Sequence, residues 1–336
     1  MTSHRSIKRI VHRSAEEMKA TCEIAKYTSA RDAFTTFLAK IQIQIMNRDG
    51  FQEPPHVRKL LLKKHEVMLR YFENKYTDFL QNYDCNRDLP DDDPALRDRI
   101  WICWWQGLEN APELVQRCVE SVIRNSGSHT VTILTEENYK DYVHIPQWVE
   151  EKYRAGIITR TNYSDLLRLC LLAEHGGLWL DATFFCRNLD IEACFRDPVW
   201  SIKRPDYLHA SVAGGYFAGY SLACKYENRG AFATIRDFFL HYWQCNDMLV
   251  DYLLVDYMIV LAQRKSQKIA ELFSGIKPNN PRCDELVVAL AEPYNALKWQ
   301  EMAAETSLFK LTWKQAFPTE VNGEITFYGK LLERTL

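Results

Sequence analysis

From residue 99 onward, apolar segments switch repeatedly between a period of two and a period near 3.6, and this alternation limits the fold more than any other feature. "RIWICWW" (99–105) reads as a strand, "APELVQRCVESVIRNS" (111–126) as a helix and "HTVTILT" (129–135) as a strand. "RTNYSDLLRLCLLAEH" (160–175) then reads as a helix and "GLWLDATFFC" (177–186) as a strand again. Strands alternating with helices of this length predict an α/β core with a largely parallel sheet. In such sheets ligands sit beyond the carboxyl ends of the strands. Two chemically equipped segments fall at such ends, "WWQG" after the first strand and Asp181 near the end of the third.

Residues 1–90 have a different character. Apolar positions recur at helical spacing from Ile7 to about Asn47 and from His56 to Tyr83, with "GFQEPP" breaking the two stretches. The acids and prolines of "DCNRDLPDDDPALRD" suit a linker, so a helical N-terminal region (1–90) is expected to precede an α/β domain (99–336). A formal net charge of −2 conceals an asymmetry: up to Arg70 there are fourteen Lys/Arg against seven Asp/Glu, and beyond it 28 against 37.

Several function classes are excluded or disfavoured. No G-x-G-x-x-G follows a strand, which disfavours a nicotinamide dehydrogenase, and "HEVML" lacks the second histidine of a zinc hydrolase motif. The basic N-terminus has no accompanying nucleic-acid-binding motif, so no nucleic-acid partner is expected. "MTSHRSIKRI" lacks the apolar centre of a signal peptide, and none of the ten cysteines forms a CxxC pair. Reduced thiols and a cytoplasmic location are the expectation.

The residues that carry chemistry lie in "SDLLRLCLLAEHGGLWLDAT". Strand alternation places Trp179, Asp181 and Thr183 on one face and Leu178, Leu180, Ala182 and Phe184 on the other. Asp165 and Arg168, three residues apart, face the same way on a helix that is otherwise apolar from Leu166 to Ala173. Burying such a pair costs several kcal/mol per ion, by order of magnitude, unless partners satisfy it. It is either an internal ion pair bracing the helix or a pair held at the rim of a polar ligand site beside Asp181.

S-D-x-x-R, an apolar turn, then G-G-x-W-x-D-A-T together resemble the capsular-polysaccharide-synthesis glycosyltransferases. More distantly they resemble the retaining DXD-containing sugar transferases that include the glucosyltransferase domains of large clostridial toxins. The resemblance is strongest from Ile102 to Phe185. It implies a GT-A (Rossmann-like) glycosyltransferase domain, a nucleotide-sugar donor and a divalent cation, Mn²⁺ or Mg²⁺. Asp181 matches the first carboxylate of DXD, which meets the ribose and the metal-diphosphate group and is the expected metal ligand. Asp165 matches an Asp on sugar or ribose hydroxyls, Arg168 an Arg on the donor sugar, and Trp179 an aromatic position of the same strand. "WWQG" resembles a strand end whose aromatic stacks on uracil, which points to Trp105, then Trp104, with Gln106 beside them. The second DXD carboxylate is replaced by Thr183, a weaker oxygen ligand. A basic side chain would then share the neutralisation of the leaving diphosphate, with Lys310 and Lys314 of "FKLTWK" as candidates.

"HASVAGGYFAGYSLACKYENRG" and the helices after it are expected to form the acceptor side, Gly214 and Gly215 allowing close backbone approach. In "VDYLLVDYMI", Asp256 either orients an acceptor hydroxyl or acts near the anomeric carbon, or, like Asp251, caps or pairs within the helices. The expected activity is hexosyl transfer from a nucleotide diphosphate sugar, a UDP-sugar by preference, to a hydroxyl of a growing polysaccharide or glycolipid, with retention. The alternative is an inactive nucleotide-sugar- or glycan-binding subunit of a synthesis complex. "HVRKLLLKKHEVMLR" adds a second expectation, peripheral attachment to the inner face of an anionic membrane where a lipid-linked glycan acceptor would lie. Its carriers are His56, Arg58, Lys59, Lys63, Lys64 and Arg70 beside Leu60, Leu61 and Met68.

Overall fold

A computed structural model describes residues 2–48, 52–91, 93–188, 191–204 and 208–336, with side chains from residue 15. The expected N-terminal helices are present as α1 (Thr2–Tyr27), α2 (Ala30–Arg48), α3 (Arg58–Lys75) and α4 (Thr77–Asn82). Gly50 and Phe51 of the expected break, and Asp92 of the acidic linker, lie outside the described residues. Then follow β1 (Ile100–Cys103), α5 (Glu113–Arg124), β2 (Val131–Leu134), α6 (Gln147–Arg154), α7 (Arg160–Glu174) and β3 (Gly177–Leu180). The chain continues through β4 (Phe184–Cys186), α8 (Glu192–Arg196), β5 (Val199–Ser201) and β6 (Ser221–Cys224) into α9 (Gly230–Cys245), α10 (Leu254–Lys265) and α11 (Gln267–Ser274). It closes with α12 (Glu285–Ala289), α13 (Ala296–Ala303), β7 (Leu308–Lys310), a short hairpin of β8 (Glu320–Val321) and β9 (Glu324–Ile325), and α14 (Phe327–Leu332).

The central sheet has the order β2-β1-β3-β6-β5. It is mixed rather than largely parallel: β1 runs parallel to β2 and β3, but β6 runs antiparallel to both β3 and β5. One edge therefore gathers the carboxyl ends of β1, β2 and β3. Because β6 is reversed, its first residue Ser221 pairs with Leu180, so the segment just before β6 arrives at that edge too.

Local chemistry explains the frame. Gly176 and Gly177 both have positive φ, +69° and +89°, and a Cβ on them would stand 2.7 Å from the Cys224 carbonyl oxygen and 2.4 Å from that of Arg99. Only glycine lets α7 end and β3 begin this close to two neighbouring backbones. The Thr159 hydroxyl caps α7 by accepting from the Asn162 N–H, and the helix is buried along most of its length, as its apolar run requires.

The expected single strand 177–186 is two. After Leu180 the Asp181 N–H donates to the Tyr220 carbonyl, and a turn closes as the Phe184 N–H donates to the Asp181 carbonyl, 3.0 and 3.1 Å. The chain then leaves the central sheet, and β4 pairs antiparallel with β7, Phe184 opposite Lys310. Period-two spacing alone does not reveal such a change of partner, because both halves are apolar.

The N-terminal helices share one apolar core with the rest. Val67, Met68, Tyr71 and Phe72 of α3 pack in the same cluster as Phe238 and Tyr242 of α9 and Tyr257 of α10. The apolar residues expected to face a membrane from α3 are thus turned inward, while Arg58, Lys59 and Lys63 stay exposed. Leu61 and Met68 are fully buried, Lys64 is buried and paired with Asp251 at 2.8 Å, and Arg70 pairs with Asp32 at 2.6 Å. The apolar face of α3 is spent on the core. All ten cysteines are free and six of them are buried. Among the described residues no helix is long and apolar enough to cross a membrane.

Candidate active site

Arg168 stands at the centre of the equipped edge. Its Nη2 lies 2.9 Å from Asp165 Oδ1 and 3.8 Å from Asp181 Oδ1, its Nη1 donates to the Gly219 carbonyl, and its guanidinium lies 5.2 Å from the centre of the Trp179 ring. The i,i+3 spacing on α7 makes the first contact, and the strand order makes the others. Asp165 and Arg168 are each buried, at 6% and 7% exposure, whereas the Asp181 side chain keeps 31% of its surface. The pair therefore has one open side, at Asp181.

The trio anticipated from strand alternation does converge, but through the turn rather than a strand face. Trp179 is buried and its indole Nε1 donates to Asp181 Oδ1 at 3.1 Å. It reaches the site only through Asp181 and Arg168. Lys310, 127 residues beyond Thr183, arrives on β7; its Nζ donates to Thr183 Oγ1 and lies 3.4 Å from Asp181 Oδ2. Lys314 is exposed, while its neighbour Trp313 packs edge-on against Trp104 at 5.6 Å.

Asp181 and Thr183 offer one carboxylate and one hydroxyl, and the same ammonium already faces both. Among the described residues no three His, Cys, Asp or Glu side chains cluster so as to enclose a metal. This donor set suits a divalent ion only as a shared one, held by Asp181 and completed by water and a diphosphate.

Asp256 enters from α10. A Cβ on Gly219 would lie 2.9 Å from Asp256 Oδ1 and 3.5 Å from Arg168 Nη1, so the carboxylate and the guanidinium press on the same glycine. The residue is half-buried, but its Oδ1 is buried without a hydrogen-bond partner. Burial, and then the negative charge of Asp165, push the Asp256 carboxyl up to about 7 against the pull of Arg168. Asp165 is raised to about 6 by burial, opposed by Arg168 and reinforced by Asp181. Two carboxyls that titrate near neutrality beside one arginine can accept hydroxyl hydrogen bonds or hold a proton where a reaction needs one.

The residues expected to meet the base follow β1, and Trp105 among them belongs to the apolar core. Trp105 is 7% exposed, its ring among Tyr139, Tyr153 and Tyr163 with centroids 5.2, 6.2 and 5.6 Å away, and its indole N–H has no acceptor. Trp104 is half-buried and Gln106 exposed at the same strand end. Gly219 joins the site without having been expected from the sequence. Gly219 is one of many glycines until Arg168 is seen on its carbonyl. Tyr252 stands 73% exposed, and burial together with the negative charges of Asp165 and Asp181 raises its phenol above the ordinary value.

The chain is similar to proteins named as O-glycosyltransferases. An O-glycosyltransferase of Annulohypoxylon truncatum is 30% identical over 108 residues, covering 29% of this chain and 26% of its own. An O-glycosyltransferase of Phomopsis amygdali is 26% identical over 155 residues, covering 43% of this chain and 38% of its own. The chain thus spans well under half the length of these curated relatives. No solved structure matches it. A family model matches residues 49–331, which takes in α3, the whole central sheet and Lys310. The chain belongs to the capsular polysaccharide synthesis protein family.

Proposed function

We propose that this chain is a glycosyltransferase of GT-A type that moves a hexosyl group from a nucleotide diphosphate sugar, most naturally a UDP-sugar, to a hydroxyl of a glycan or lipid-linked glycan. The observation that supports it most is the meeting of Arg168 with Asp165, Asp181 and the Gly219 carbonyl at the carboxyl edge of the parallel strands, with Lys310 brought onto Asp181 from the C-terminal strand. A donor laid along this edge has its base at Trp105 and Trp104, near Gln106, its sugar at Arg168 and Asp165, and its diphosphate at Asp181, Thr183 and Lys310. Mn²⁺ or Mg²⁺ shared between Asp181 and the diphosphate would supply further neutralisation of the leaving group.

Transfer breaks the bond from the anomeric carbon to the phosphate oxygen and forms one to the acceptor oxygen. With retention, the acceptor proton passes to the departing phosphate oxygen on the same face, so no dedicated base is required. Lys310 stabilises the negative charge that develops on the diphosphate. Arg168 holds the sugar hydroxyls, Asp165 accepts from them, and Asp256 orients the acceptor hydroxyl. A cytoplasmic, reducing setting accompanies this reading, supported by six buried thiols packed as small hydrophobes.

The test is turnover. Incubation with a panel of nucleotide sugars and Mn²⁺ should raise the unfolding midpoint for the true donor and release nucleoside diphosphate, by transfer or slow hydrolysis. A second reading, an inactive donor-binding subunit, draws on Thr183 in place of a carboxylate and already hydrogen-bonded by Lys310. Midpoint shifts without any release of diphosphate would establish that one instead. Absence of both effects across the panel would reject donor binding altogether.

A further inference from the structure

Helix α2 is apolar on two opposite sides, and only one of them is used. Ala33, Thr36, Ala39 and Met46 are buried, and Ile43 packs against the same interior. At 100° per residue, Phe34, Leu38, Ile41 and Ile45 fall on the reverse side, spaced 4, 3 and 4 residues apart along three turns. They stand 56%, 40%, 40% and 43% exposed. Four large side chains in one outward stripe are not the scattered exposure of an ordinary surface.

The charges around the stripe indicate what covers it. Arg31 and Arg48 are exposed on the outward half of the helix at its two ends, and Gln42 and Gln44 flank the middle. The only acid of α2, Asp32, is turned towards α3 and paired with Arg70. The outward half of α2 is thus apolar, neutral or basic throughout. A second copy packed on it would set arginines near arginines with no carboxylate of α2 to answer them. Anionic lipid answers both features, with headgroups for the arginines and acyl chains for the stripe.

We propose that α2 is an in-plane membrane-docking helix, seating the Phe34–Leu38–Ile41–Ile45 stripe in an anionic lipid surface with Arg31 and Arg48 at the headgroups. The site lies on a helix that contributes nothing to the candidate active site, so docking and sugar chemistry are separable.

The experiment is co-sedimentation of the full chain with phosphatidylcholine vesicles, with and without phosphatidylserine. The wild-type chain should pellet with the serine-containing vesicles, less so as salt rises. Leu38→Glu with Ile41→Glu should lower the partition coefficient at least about tenfold, because it removes apolar insertion and adds repelled charge, with the unfolding midpoint unchanged. Arg31→Gln with Arg48→Gln should weaken binding to the anionic vesicles and flatten its salt dependence. Failure of the wild-type chain to pellet, or pelleting untouched by the glutamate pair, overturns the proposal. So does a solution mass of two chains that falls to one in the glutamate pair, which would make the stripe a self-association face. No sugar donor enters this assay, so its failure leaves the transferase reading intact.

Discussion

Asp251 and Asp256 lie five residues apart and come to opposite ends. Asp251 faces Lys64 at 2.8 Å and accepts from the Leu253 N–H at 3.0 Å, while Lys64 also donates to the Tyr257 hydroxyl at 3.2 Å. Burial acts to raise the Asp251 carboxyl, but Lys64 and Lys40 hold it below its ordinary range. Asp256 faces an arginine already engaged by Asp165 and Gly219, keeps one oxygen without a partner, and is raised to about 7. A buried charge with every valence answered is a structural joint, here binding α3 to the start of α10. A buried charge left partly unanswered is a place where the fold has given up stability for something it does not itself contain.

The largest way to break this contrast is at the joint. Asp251→Asn leaves Lys64 buried beside a neutral partner, and chemical denaturation at pH 7 should show a loss of about 3–5 kcal/mol while turnover per folded molecule stays near wild type. Lys64→Met combined with Asp251→Leu should recover most of that loss, since the desolvation penalty goes with the pair. A double variant no more stable than Asp251→Asn would show that the pair is not what holds the joint.

Asp181→Asn should have the converse outcome: an unchanged unfolding midpoint and transfer reduced about a hundredfold or more, the scale for one preorganised electrostatic group. Near-normal turnover in that protein would remove Asp181 from the chemistry.

Next in size, and opposite in sign to Asp251→Asn, is the stability of Asp256→Asn. The carboxyl of Asp256 is raised in the folded chain, so its contribution is most favourable below about 4, the unfolded value, and is lost as pH rises through about 7. Asp251, whose value is lowered, contributes in full above about 4 and loses its contribution as pH falls through the folded value. Asp256→Asn should therefore stabilise by about 1–2 kcal/mol at pH 8 and by little at pH 4, while slowing transfer. Thermal midpoints at the two pH values decide it; a uniform destabilisation would class Asp256 with Asp251.

The smallest effect is expected at the end of β1, where the base is proposed to lie. Trp105 lies in a cage of tyrosines, so truncation to alanine would open a cavity as well as remove a stacking face. Trp105→Phe is the cleaner change, and calorimetry should show nucleotide affinity reduced by about 1 kcal/mol, roughly fivefold. Unaltered affinity would return Trp105 to the core.

Much of this was legible before any fold was in view, and the legible parts were local. The Asp165–Arg168 pair follows from three residues of spacing on one helix. The switching of period from two to 3.6 places β1, α5, β2, α7 and the start of β3 to within two residues at their ends, and gives no bounds for α6 or for the elements after residue 186. The turn at Asp181 was not legible, because Ala182, Phe184 and Phe185 continue an apolar pattern that fits one strand or two. Nor was the inward direction of Lys64, whose neighbours in "KLLLKKHE" read as a solvated basic face.

What the sequence determined by itself is whatever a helix or strand repeats over a few residues: element type, the facing of near neighbours, and the family motif they compose. The tertiary structure alone decided which charges are answered. Lys310 meets Thr183 across 127 residues of chain and Lys64 meets Tyr257 across 193, and neither partner is encoded near the other. The free energy of a buried charge depends on the groups packed within a few ångströms of it, and those groups are assembled by the order of the strands and the docking of α3, not by the spacing of residues along the chain.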